Sequence, residues 1–392
     1  MTDTRARRLA IVAGLGTSQT LAWASSYYLV AIIAPSMAAD LAMPVNAVYA
    51  AFSVALLISA MLGPRVGRTI DRFGGREVLA VSNLVFAAGL AILALATHAA
   101  ALWLGWLLIG AGMGLGLYDA AFAALGRIYG ALARQPITGI TLIAGFASTI
   151  GWPLTAWGDA TIGWRGTCLA WGAAHLCLGL PLNLLVLPRL RHAVSPLAGA
   201  VRPHIPMDRA MWLLGFAFAA GWIVSTAMAA HLPRVLEAAG ASSAEAIAAA
   251  ALVGPAQVGA RMFEAGVLSR YHPLVSARLS TITHPLGAAV LLAGGGWFAM
   301  PFTLLHGAGN GILTIARGTV PLAVFGPENY GYRLGLIGAP ARILQAGAPI
   351  GFGILIEHFG AMSLVFSAAL CMAATVALLA VRPRLAIASG SD

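Results

Sequence analysis

Five ionisable side chains stand inside long apolar runs of this 392-residue sequence: Asp119, Arg261, Glu264, Arg317 and Arg342. Burying such a group near the middle of a bilayer costs about 2.5–3.5 kcal/mol on insertion scales, so each is a functional candidate. His306, Asn310, Thr314 and Arg317 recur at i, i+4, i+8 and i+11, which puts them on one helix face. An arginine on that face suits a carboxylate or phosphate through paired hydrogen bonds. Asp119 could accept a proton when desolvated, or pair with Arg317 in one conformation. A permanent structural salt bridge is the competing reading. Gln257, Arg261 and Glu264 form a second stripe, in which Arg261 and Glu264, at i and i+3, are placed to neutralise each other. Arg342 and Gln345 form a third, with Arg342 expected on helix-end carbonyls near a loop. Both of these stripes read as gating or structural. Across the five groups, three arginines face two acids, which favours an anionic solute over a cationic one.

Aromatic residues supply further candidates. Trp23, Tyr27, Tyr28, Tyr118 and Trp222 could pack against a solute, although Tyr and Trp near helix ends also serve as interface anchors. His306 could bind a solute or relay protons. His231 lies about 180° from Trp222 around its helix and reads as a satisfied interfacial histidine. Met207 and Met211 have a spacing that suits a soft metal, but no other soft ligand lies nearby. Cys168, Cys177 and Cys371 read as small buried apolar residues, not disulfides or metal ligands. Neither a metal site nor a required cofactor is expected.

The elements that carry these residues follow from composition. The chain is 60% hydrophobic and 9% charged, against roughly a quarter charged in soluble domains. Apolar runs recur from end to end, and only helices or closed barrels satisfy their backbones in lipid. The runs are too long and too uniformly apolar for barrel strands, so the fold class is all-α membrane protein. Twelve spans are expected. The first six are approximately Leu9–Ala34, Val45–Leu62, Val78–Thr97, Leu102–Gly126, Ile137–Trp157 and Arg165–Leu187. The second six are approximately Ala210–Leu232, Ala244–Ala265, Ser276–Gly295, Phe298–Ala323, Leu334–Ile356 and Met362–Val381. No cleavable signal peptide is expected at the basic head Thr2–Arg8.

All 23 basic residues are arginine, and the net charge is +10. The charge is spread over short loops rather than gathered in one patch, so no nucleic-acid partner is expected. One side of the twelve-span arrangement holds most of the arginines, from Arg5 to Arg384. The other holds Arg165 and Arg234. This asymmetry predicts that both termini are cytoplasmic. Residues 188–208, proline-rich and polar, read as a cytoplasmic linker between an N-terminal bundle, 1–187, and a C-terminal bundle, 209–392.

The halves also repeat. Gly110-Ala-Gly-Met-Gly114 matches Gly307-Ala-Gly-Asn-Gly311, six spans later. Trp23, Ser25 and Pro35 match Trp222, Ser225 and Pro233, and Pro153 with Gly163 matches Pro349 with Gly360, each with one residue of slippage. Transporter folds are commonly built from such repeats, and small residues also let membrane helices pack closely.

The loop Gly67-Arg-Thr-Ile-Asp71-Arg72-Phe-Gly74-Gly75-Arg76 resembles the signature of the major facilitator superfamily, with Gly75 at an expected basic position. Gly266-Val-Leu-Ser269-Arg270 is a degraded copy in the second half, without the aspartate. Gly163-Trp-Arg165 is also typical of the superfamily. The resemblance covers essentially the whole chain. It implies two pseudo-symmetric six-helix bundles, with the first, fourth, seventh and tenth spans lining a cavity. It also implies a monomeric secondary transporter of the bacterial inner membrane, working by alternating access. Gly67, Asp71, Arg72, Gly74 and Arg76 would then form a cytoplasmic latch, with Asp71 pairing Arg72, Arg76 or the positive N-terminus of a neighbouring helix. Arg261, Glu264 and Arg342 join the expected gate. Trp106 stands where drug exporters of the superfamily usually carry arginine, and Gly151-Trp-Pro153 only partly matches their fifth-span motif. The expected cargo is a small carboxylate, coupled to protons or exchanged for another anion. A proton-driven exporter of amphipathic compounds and a metal or metal-complex transporter are the alternatives. A membrane enzyme or receptor is more remote, since no zinc-ligand helix, nucleophile elbow or phosphate loop is present.

Overall fold

The computed structural model describes residues 5–190, 205 and 207–382. Arg191, Arg202, Arg384 and most of the expected linker lie outside the described residues. Among those described there are sixteen α-helices and no strand. The first half holds α1 (Arg5–Ala24), α2 (Val30–Asp40), α3 (Val45–Phe73), α4 (Arg76–Ala94), α5 (Ala99–Gly116), α6 (Tyr118–Tyr129), α7 (Arg134–Ala144), α8 (Ala147–Ala174) and α9 (Leu180–Val186). The second holds α10 (Arg209–Ala238), α11 (Ser243–Ala250), α12 (Val253–Gly266), α13 (Pro273–Gly294), α14 (Ala299–Phe325), α15 (Tyr330–Phe359) and α16 (Ser363–Ala380).

Seven stretches of the described residues are long and apolar enough to cross a membrane. The longest, Ala99–Val186, has 88 residues. As one rod it would measure about 130 Å at 1.5 Å per residue, several times the roughly 30 Å hydrocarbon core. It is instead broken at Leu117, at the 3₁₀ turn Gly130–Ala133, at Gly145–Phe146 and at Gly163 (φ 73°).

Several expected spans contain interruptions. The first breaks at Ser25–Leu29, where the hydroxyls of Ser25 and Ser26 bond back to Leu21 O and Ala22 O; such local bonds compete with the helical ladder. The fourth breaks at Leu117, whose backbone is extended (φ −82°, ψ −173°). The buried Gln19 holds α1 to this break by donating to Gly116 O at 2.6 Å. The sixth contains a π-helical turn at His175–Gly179, and the eighth breaks between α11 and α12.

The glycine repeat has a packing cause. A Cβ on Gly110 would lie 2.4 Å from Ala55 O on α3, and one on Gly114 would press on Ser59, a turn later. In the second half, a Cβ on Gly307 would lie 2.9 Å from Val253 O on α12, and one on Gly311 would lie 2.5 Å from Gln257 O, again a turn later. The two motifs thus make the same backbone-to-backbone seam, α5 on α3 and α14 on α12.

Candidate functional site

The break at Leu117 positions the central carboxylate. It starts a new helix at Tyr118, so Asp119 occupies the first turn of α6, where helix partial charge favours an anion. From the second half, α14 brings Arg317 and α15 brings Arg342 to the same group. Arg317 Nη2 donates to Asp119 Oδ1 at 3.2 Å, and Arg342 Nη2 donates to Oδ2. All three side chains are 15% exposed or less. Two guanidinium groups therefore share one carboxylate, leaving a positive charge in excess. Arg342 Nη1 is buried and forms no hydrogen bond among the described residues, and the same holds for Trp23 Nε1.

Aromatic rings surround this cluster. Arg317 lies over the Trp222 ring, 4.4 Å from its centroid, a cation–π arrangement. Trp23 packs against Tyr27 and Tyr118 at centroid distances of 5.3 and 5.0 Å. Gln345 on α15 donates to Tyr27 Oη at 2.9 Å, another bond across the halves. Together these residues enclose a cavity of about 30 Å³, large enough for water.

Several expectations are corrected here. Arg342 does not reach helix-end carbonyls; it crosses between halves to Asp119. Arg261 and Glu264 do not neutralise each other. Glu264, fully buried, takes Arg134 Nη2 from α7 at 3.0 Å and the Thr138 hydroxyl at 3.3 Å. Arg261 donates instead to Thr141 O at 3.1 Å and Gln257 Oε1 at 3.4 Å. Both residues thus tie α12 to α7, across the halves. The stripe on α14 also divides. Arg317 faces the Asp119 cavity, whereas His306 and Asn310 line a second one with His284 and Ser225. Asn310 accepts from Ser225 at 2.8 Å, and Thr314 bonds within its own helix to Asn310 O.

Of the three partners expected for Asp71, the helix N-terminus is the one observed. Its carboxylate accepts from Gly331 N and Tyr332 N, both at 2.8 Å, in the first turn of α15. The approach requires glycine on both helices, since a Cβ on Gly67 would lie 2.0 Å from Gly331 O. Arg72 and Arg76 remain in the first half: Arg72 lies over the Phe73 ring, and Arg76 donates to Leu184 O. Gly74 ends α3 at φ 92°. His231 bonds to Pro349 O at 2.7 Å, as an internal satisfied histidine. Trp106 is fully buried and packs edge-on against Phe52. Cys168 and Cys371 are buried, but Cys177, on the π-helical turn, is exposed. No group of three or more His, Cys, Asp or Glu is placed to hold a metal ion among the described residues.

Sequence reasoning did not single out His284 or Arg134, which the structure places beside His306 and Glu264. Each stands in an apolar or loop segment without a distinctive spacing, and each takes its meaning from a partner on another helix.

Known proteins bear out this architecture. The family model described as Major Facilitator Superfamily matches residues 15–305. An uncharacterised 38 kDa protein encoded in the 23S RNA operon of Thermoproteus tenax is 28% identical over 355 residues, covering 90% of each chain. Among solved structures, the human organic anion transporter TETRAN superposes with a TM-score of 0.73 at 16% identity, covering 96% of this chain and 100% of that one. The E. coli fucose:proton symporter does so with a TM-score of 0.69 at 14% identity, covering 94% and 97%. At these identities the superpositions show a shared fold. With the family match over most of its length and a charged cavity between its halves, the chain belongs to the Major Facilitator Superfamily and is a transporter, not an enzyme.

Proposed function

We propose that the protein carries a small organic anion, a carboxylate, across the membrane by alternating access. The observation that carries this reading is the sharing of one carboxylate, Asp119, by Arg317 and Arg342 at the contact between halves. Asp119 is an internal stand-in for the solute. An arriving carboxylate would take the bidentate positions on the guanidinium groups, using the unmatched donor of Arg342. Trp222, Trp23 and Tyr27 would cover its organic body. Twelve spans in two six-helix bundles, joined by residues 188–208, supply the frame. The bundles rock about this cluster.

The contacts of Asp71 with α15 and of Glu264 with Arg134 lie towards the arginine-rich ends of the helices. They act as the latch and gate that keep that end closed in this conformation. The arginine asymmetry supports placing this end, and both termini, on the cytoplasmic side of a bacterial inner membrane. The protein works as a monomer, with proton coupling or anion exchange as its energy source.

Uptake of radiolabelled acetate, benzoate and succinate into proteoliposomes tests the proposal. Saturable uptake of a carboxylate that is lost in Arg317→Ala and Arg342→Ala supports it. Saturable transport of amphipathic cations, with no carboxylate transported, contradicts it.

A further inference from the structure

The second cavity lies within the C-terminal half and contains a pair of buried histidines that the anion cluster does not use. His284 on α13 and His306 on α14 meet Nδ1 to Nδ1 at 3.0 Å, and His284 Nε2 lies 2.9 Å from Ser367 Oγ on α16. The rings are 3% and 5% exposed. One assignment of hydrogens satisfies each of these contacts. Ser367 donates to Leu364 O at 3.0 Å, so its lone pair receives Nε2–H of His284. His284 Nδ1 is then an acceptor, and His306 donates from Nδ1. His306 Nε2 is left as a bare lone pair on a ring that lines the cavity, and no described residue bonds to it. The cavity, about 20 Å³, has room for water.

We propose that the His284–His306 pair is the proton-binding site that couples this transporter to a proton gradient. A proton delivered by cavity water bonds to His306 Nε2, leaving water behind, and no existing hydrogen bond has to break. The charge is shared along the Nδ1–H···Nδ1 bridge, and the Phe302 ring, stacked at 6.1 Å from His306, faces the cation. Asp119 is less suited to this task, because guanidinium groups occupy both its oxygens. The inference rests on the anion-transport reading for its coupling partner, but not for the proton site itself.

Other ionisable groups around the pair are few. Cys371 on α16 is the other titratable side chain lining the cavity. On the helices packed against the pair stand Arg278 on α13, held by Leu378 O and Val381 O, Arg317 on α14, Glu245 on α11, Arg261 and Glu264 on α12, and Arg209, His231, Arg234 and Glu237 on α10; α6, α7 and α15, which also touch α14, carry Asp119, Arg127, Arg134, Arg333, Arg342, Glu357 and His358, none of which lines the second cavity. Coupling to the anion site has a direct route, because the same two helices line both cavities. On α10, Trp222 faces the first and Ser225 the second; on α14, Arg317 faces the first and His306 the second. His306 and Arg317 are about 16 Å apart along α14 at 1.5 Å per residue, so a tilt of α10 against α14 reshapes both sites together.

The test combines two measurements on the full chain. ¹⁵N-histidine NMR in nanodiscs, from about pH 5 to pH 8, reads protonation without any solute. His284→Gln and His306→Gln assign the signals, and Ser367→Ala perturbs the pair if either variant fails to fold. The expected result is one proton taken up jointly, with each single variant or Ser367→Ala shifting the partner's titration. Rings that stay neutral throughout, or titrate independently, overturn the proposal. In proteoliposomes containing a pH dye, benzoate uptake should carry protons inward, and His306→Gln should reduce that proton flux about tenfold. Unchanged proton flux in the variant also overturns it. If the wild-type protein takes up no benzoate, the NMR result alone decides the proton site, and that outcome counts against the carboxylate reading instead.

Discussion

In the first half of the molecule, His175 is bonded at both nitrogens, to Asn83 Oδ1 at 2.8 Å and Ser25 Oγ at 2.7 Å. Asn83 donates its own N–H to Leu79 O, so its oxygen faces the ring as an acceptor. Phe86 stacks on the same ring at 4.7 Å. Both nitrogens of this ring are therefore engaged, Nδ1–H by Asn83 Oδ1 and Nε2 by Ser25 Oγ. In the second half, His284 and His306 bond to each other, and Nε2 of the cavity-lining His306 has no partner among the described residues. Both histidines are buried, and each bonds across equivalent spans of the expected repeat: His175 to Asn83 joins the sixth span to α4, and His284 to Ser367 joins α13 to α16. The difference teaches that burial of a histidine alone says little about function. What separates a packing histidine from a proton site is whether its hydrogen-bonding capacity is used up.

The largest expected effect comes from the cluster between the halves. Asp119→Ala strands two buried arginines, and breaking a buried pair costs about 3–5 kcal/mol. Thermal unfolding should show this loss, and millimolar benzoate should restore part of it by binding only the folded state. If benzoate leaves the variant unchanged, the carboxylate of Asp119 is not standing in for a solute.

His175→Ala should cost about 1–3 kcal/mol, because Asn83 Oδ1 loses its donor. Proton-coupled uptake per folded molecule should stay at the wild-type level. A loss of coupling in this variant would erase the contrast between the halves. Gly67→Ala should cost a similar amount, about 1–3 kcal/mol, by overpacking against Gly331. Spin-label distances between α3 and α15 should lengthen at the Asp71 end, and an unchanged distance would exclude a latch there. The smallest effect belongs to Arg165→Ala. Arg165 pairs with Asp40, but these side chains are 36% and 47% exposed, and exposed pairs contribute about 0–1 kcal/mol.

Helical class and the two-fold repetition were legible in the sequence because both rest on local pattern. Apolar runs mark helices, and the paired Gly110–Gly114 and Gly307–Gly311 motifs mark backbone contact. Asp71 was legible for the same reason, its glycines and arginine standing in one short motif at the end of α3. The breaks at Ser25 and Leu117 were not: Ser25–Leu29 holds no proline or glycine, and Gly116 beside Leu117 is one of several glycines in a run that otherwise stays helical. Partner choice was least legible. Glu264 has Arg261 one turn away in its own helix, yet it bonds to Arg134, 130 residues distant. Arg342 reaches Asp119 over 223 residues. Side-chain spacing fixes which residues share a face, but the rotation of one helix against another decides what that face meets. The α14 stripe illustrates this: Arg317 meets Asp119 of α6, whereas His306 meets His284 of α13.

Thermal stabilisation of purified protein by carboxylates tests the arginine cluster most directly. Benzoate, acetate and succinate would be compared with amphipathic cations on the wild-type protein and on Arg317→Ala. A carboxylate should raise the unfolding temperature of the wild-type protein and have no effect on the variant. Stabilisation by cations alone, or an equal carboxylate effect on both proteins, would contradict an anion site at Arg317 and Arg342.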